Sequence, residues 1–82
     1  MKKRFDIAED KTFIRVVSYD FFMDGDFRIP KNIEVDYFSD KELGEARIEW
    51  LIENYNLKII FEKTIAGTKF QTYESGNKSN KV

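Results

Sequence analysis

Glu42, Glu45, Glu49 and Glu53 recur at intervals of three and four residues. At about 100° per residue on a helix, these carboxylates fall within roughly 80° of one another. No lysine or arginine lies among them, and Trp50 stands beside the stripe. Like charges four residues apart repel, so the stripe costs the helix a little stability. A tryptophan rimmed by carboxylates can anchor and steer a basic protein partner. The plain alternative is a solvated acidic face with Trp50 closing the edge of a core.

Other chemistry has little to work with. The chain contains no histidine and no cysteine, which removes the usual neutral-pH base, the usual zinc ligands and the thiolate nucleophile. Asp20, Asp24 and Asp26 cluster and could hold a hydrated divalent cation, but their spacing is not that of a calcium loop. Turn formation and solvation account for them more simply. Ser18 has no evident base, Ser39 is read as a helix cap, and Ser75 and Ser79 fall near the end. The expectation is no catalytic residue, no cofactor and no metal.

Charge is unevenly distributed in this 82-residue chain of net charge −1. Lys2, Lys3 and Arg4 open it, residues 5–62 carry 7 basic against 14 acidic side chains, and residues 63–82 carry 4 against 1. An acidic body favours basic partners and repels phosphate backbones. Nucleic-acid binding through Lys2, Lys3 and Arg4, with Phe5, Phe13, Tyr19, Phe21 and Phe70 as stacking candidates, is therefore the second reading. No stretch approaches the ~18 apolar residues of a membrane span, and acidic residues interrupt any leader after Arg4. A cytoplasmic protein with no membrane partner is expected, its oligomeric state open. Asn77-Lys78-Ser79 matches a glycosylation acceptor, which has no meaning in that compartment.

The elements that must position these groups follow from pattern. Phe5 and Ile7 alternate with polar residues, and Thr12 to Met23 is rich in β-formers. Asp24-Gly25 suits a type I′ hairpin. Pro30 marks an edge or a bulge. Ile33, Val35 and Tyr37 then alternate with Glu34 and Asp36, as on a half-buried strand with one wet side. Ser39-Asp40-Lys41-Glu42 reads as a capping box, with Phe38 and Leu43 placed as a hydrophobic staple. Along the helix, Gly44, Ile48, Leu51, Ile52 and Tyr55 share a side and should face the sheet, Ala46 and Leu43 extend a second strip beside Trp50, and Asn56 ends the helix. Leu57 to Ile65 and Lys69 to Tyr73 read as strands about an Ala66-Gly67 turn.

The expected architecture is α+β, β-β-β-α-β-β, a mostly antiparallel sheet with one helix packed on one face. Residues 1–74 form a single domain and 75–82 a polar tail. The crossover through the helix allows one parallel pairing.

The stretch Glu45-Ala46-Arg47 through Asn54-Tyr55-Asn56-Leu57, and later Tyr73-Glu74, resembles the small accessory epsilon subunit of Gram-positive RNA polymerase. It covers less than half the chain, and the N-terminal hairpin and turn lengths depart from it. The resemblance implies a tiny sheet with one helix and an accessory-subunit role, and transfers no functional residue. The favoured expectation is a non-enzymatic protein-interaction module. A concrete version is a stoichiometric inhibitor or regulator, of phage or mobile-element type, of a basic nucleic-acid-processing protein. It would bind through Glu42, Glu45, Glu49, Trp50 and Glu53.

Overall fold

Alternating β-formers build the first hairpin. β1 (Lys2–Glu9) pairs antiparallel with β2 (Ile14–Asp24), so that Ile7 lies opposite Val16 and Phe5 opposite Ser18. The computed structural model describes residues 2–75. Between the two strands, the Asp10 carboxylate accepts from the Thr12 amide at 2.7 Å, the Thr12 hydroxyl at 3.0 Å and the Phe13 amide at 3.2 Å. The backbone bond from Thr12 chiefly holds the Asp10 carboxyl below its usual range, against desolvation.

A two-residue loop of Gly25 and Asp26 leads into β3 (Phe27–Phe38). Gly25 has φ +62° and stands first in the loop, the glycine-first arrangement of a type II′ turn rather than the expected I′. Positive φ at both residues occurs instead at Ala66 (+52°) and Gly67 (+82°), joining β4 (Leu57–Ile65) to β5 (Thr68–Ser75). Pro30 does lie on an edge strand, where its missing N–H breaks no ladder. The register shift falls just beyond it, opposite Ser18 and Asp20, at Asn32 with φ +57°.

The sheet has five strands in the order β3-β2-β1-β5-β4, all antiparallel. β3 and β4 are therefore opposite edges. The helix α1 (Lys41–Tyr55) crosses from one edge to the other, and the parallel pairing that the crossover allowed does not form. Ser75 belongs to β5, opposite Leu57, and its hydroxyl accepts from the Lys3 amide at 3.1 Å. The rest of the expected tail, with Asn77-Lys78-Ser79, lies outside the described residues.

Asp40, not Ser39, caps the helix. Its carboxylate accepts from the amides of Glu42 (2.9 Å) and Leu43 (3.4 Å). Moving the cap one residue along removes the staple: Phe38 joins the core while Leu43 stays 62% exposed. Asn56 takes the left-handed position (φ 51°), and its N–H donates to the Ile52 carbonyl.

The helix buries the side that its periodicity indicates. Leu51 and Gly44 are buried, and Ile48, Ile52 and Tyr55 pack against the core. That core is thin: Phe5, Ile7, Ile14, Val16, Leu51 and Leu57, joined by the Phe5–Tyr55 ring pair at 5.2 Å. A Cβ on Gly44 would stand 2.9 Å from the Cβ of fully buried Ile14, so glycine sets how closely helix and sheet approach.

Candidate functional site: two faces of the sheet

Strand pairing sorts every sheet side chain onto one of two faces, because directly opposed residues share a face. Phe5, Ile7, Ile14 and Val16 define the helix-covered face. By register, Glu34 and Asp36 lie on that same face, opposite Ser18 and Val16. Ile33, Val35 and Tyr37 are thrown to the uncovered face, all well over half exposed. The alternation is thus present, but β3 is not half-buried: Glu34 and Asp36 are exposed as well. Period two says which residues travel together, and the choice of face depends on where the helix docks.

On the covered side, Glu42, Glu45, Glu49 and Glu53 are exposed, and none makes an ion pair within 4.0 Å among the described residues. Trp50 is 49% exposed. The Arg47 guanidinium lies 5.3 Å from its ring centroid, a cation–π contact on the flank away from the stripe. Trp50 and Arg47 also line a hollow of about 240 Å³ with Glu34, Asp36 and Lys3. Glu45 and Glu49 turn instead toward Glu9, Lys69 and Tyr73. The five expected partner-binding residues therefore share one helix but not one flank: Trp50 borders the β3 side, Glu45 and Glu49 border the β5 side, and Glu42 and Glu53 are exposed. Glu9 is occupied by Lys41 (3.1 Å) and Lys69 (3.7 Å).

The N-terminal basic cluster is not a free arm. Lys2 and Arg4 both bind Glu74, at 3.2 and 3.0 Å, and Lys3 approaches Asp20 at 3.6 Å. The Arg4 guanidinium lies 4.0 Å from the Phe21 ring centroid. Burial works against the Glu74 anion, but the bonds from Arg4 and Lys2 prevail and hold its carboxyl below the usual range. Asp20 also accepts from the Asn32 side-chain amide at 2.7 Å. No cluster of metal-ligating side chains occurs among the described residues, and the Asp24 side chain lies outside them. Phe5 is a core residue and cannot stack on a ligand.

The uncovered face was not visible as a unit in the sequence. It presents Ile33, Val35 and Tyr37 from β3, Val17, Tyr19 and Phe21 from β2, Phe70 from β5, and Phe61 and Ile65 from β4. Tyr37 stacks on Phe13 at 5.4 Å and 17°. Between β2 and β4 runs a groove of about 340 Å³, lined by Arg15, Asp6, Phe70, Phe61, Lys63 and Ile65 among others. The Asp6 carboxylate accepts from the Thr72 hydroxyl at 2.9 Å. Burial first, then the Asp6 carboxylate, raises the pKa of the Tyr19 hydroxyl.

No helix among the described residues is long and apolar enough to cross a membrane. Comparison with protein-family profiles, curated proteins and solved structures finds no match to this chain. The resemblance to the polymerase epsilon subunit therefore rests on its few residues alone.

Proposed function

We propose that the chain is a non-enzymatic protein-binding module whose helix docks a partner with a basic surface. The observation that carries this is Trp50, half exposed and next to exposed Leu43, on the same helix as four exposed glutamates that have no ion-pair partner among the described residues. An indole left partly in water on the same helix as unpaired carboxylates supplies an anchor and a steering field together. The helix is fixed from behind by Leu51 and Gly44, so its outer residues are presented rigidly and lose little freedom on binding. A regulator or inhibitor of a basic nucleic-acid-processing protein, of phage or mobile-element type, is the concrete form of this proposal.

The test is comparative affinity capture after nuclease treatment, with wild type, E45K/E49K and W50A as baits. The expected result is a basic protein retained by the wild type and lost from both variants, with the E45K/E49K melting temperature within about 2 °C of wild type, as exposed substitutions allow. W50A, whose indole is half buried, is compared at a temperature where circular dichroism shows it folded. Equal retention by all three baits would overturn the assignment.

A further inference from the structure

The acidic body that argues against nucleic-acid binding in the sequence is not acidic on every side. By register, among the described strand residues, the uncovered face carries Lys2, Arg4, Arg15, Arg28, Lys58 and Lys63 against Asp6 and Glu74. The helix-covered side carries the reverse. There Lys3, Lys31, Lys69, Lys41 and Arg47 meet Glu9, Asp20, Glu34, Asp36, Glu62 and the four helix glutamates. The sheet thus separates a cationic face from an anionic one, and only the cationic face is bare. At the ~8–10 Å screening length of physiological salt, a ligand on the bare face feels mainly the near charges.

Aromatic rings are interleaved with those cations. Arg15 lies directly opposite Tyr37, which is 64% exposed and backed by Phe13. Across the groove, Phe61 (52% exposed) and Lys63 lie on β4. Arg15, Lys58 and Lys63 make no ion pair within 4.0 Å among the described residues. From β3 to β4 is four inter-strand steps of about 4.8 Å, roughly 19 Å in all, long enough for about four nucleotides.

We infer that this uncovered face is a second binding site, and that it takes single-stranded nucleic acid. Bases stack on Tyr37 and Phe61, and phosphates are met by Arg15 and Lys63. A duplex hides the faces of its bases, so an open sheet of rings selects unpaired strands. Lys2, Lys3 and Arg4, the cluster that sequence alone would choose, are each ion-paired, Lys2 and Arg4 with Glu74 and Lys3 with Asp20. The site stands independently of the helix-docking proposal, on the opposite side of the sheet.

The test is fluorescence anisotropy of labelled oligothymidylate and oligouridylate of about 15 nucleotides, with a duplex of equal length, titrated with the full chain. Binding is expected for the single strands, weakening roughly tenfold or more from 50 to 200 mM salt, as about three phosphate contacts require. R15E/K63E should weaken it at least tenfold, and Y37A/F61A about thirtyfold or more without changing the salt slope. E45K/E49K should leave it intact, which separates this site from the helix proposal. Circular dichroism and melting confirm that the variants fold. No binding at 50 mM salt, equal binding of the duplex, or insensitivity to both face variants would overturn the inference. So would a sedimentation mass that doubles with concentration and excludes the oligonucleotide, because the face would then be covered by a second copy.

Discussion

The two faces of this sheet are made from the same strands and similar numbers of apolar residues, yet they do opposite things. Phe5, Ile7, Ile14 and Val16 project under the helix and are buried. Asp6, Arg15 and Val17, one step along the same strands, and Ile33, Val35 and Tyr37 on the edge strand β3 project the other way and meet solvent, while Ala8 on that face is buried. One helix of 15 residues is about 22 Å long and covers one side only. An antiparallel sheet tolerates this when its free side is polar. Here the free side is aromatic and cationic, so surface that could have stabilised the fold is left available to a ligand.

The comparison predicts a large difference between equivalent truncations. Leu51→Ala opens the thin core and should cost about 2–4 kcal/mol. Ile65→Ala, on the uncovered face, should cost under about 0.5 kcal/mol. Urea denaturation of both variants measures this, and equal losses would mean that the uncovered face is covered in solution.

A smaller effect sharpens the account of the covered side. Gly44→Ala would raise helix propensity by about 1 kcal/mol, but its Cβ meets Ile14 atoms at 2.7–3.2 Å. Overpacking of a fully buried neighbour typically costs about 1–3 kcal/mol, so a net loss of roughly 1 kcal/mol is expected. Ile14→Val in the same chain should relieve part of the clash, and the sign of the double-mutant coupling tests it. A stabilised Gly44→Ala would show that helix and sheet are less closely packed.

A further small effect belongs to the uncovered side. The Glu74 carboxyl is held below its usual range by Arg4 and Lys2, so its ion pairs stabilise the fold at pH above the ordinary carboxylate value. That contribution fades as pH falls through the lowered one. Glu74→Gln should lower stability by about 0.5–1 kcal/mol at neutral pH. It should also flatten the acid limb of a stability–pH curve. An unchanged acid limb would remove Glu74 as its source.

Much of the fold was legible because local rules decide it. Helix periodicity chose the buried side, with Gly44 and Leu51, and Asn56 marked the helix end. Asp40 displaced Ser39 as the cap, since either side chain can accept from first-turn amides and backbone geometry selects one. Strand order, and the face given to Ile33, Val35 and Tyr37, were not legible. Both depend on pairing between segments far apart in the chain, as in Arg4 opposite Glu74. The same long-range pairing hid the second site. A net charge for residues 5–62 averages over two faces that only the assembled sheet separates. The Glu42, Glu45, Glu49, Trp50 and Glu53 group was legible because one helix carries it whole.

Amide chemical-shift mapping during titration with oligouridylate tests the division of the molecule into two working faces most directly. The account predicts the largest shifts at Arg15, Tyr37, Phe61 and Lys63, with Glu42 to Glu53 unmoved. Shifts concentrated on the helix, or none at saturating oligonucleotide, would contradict it.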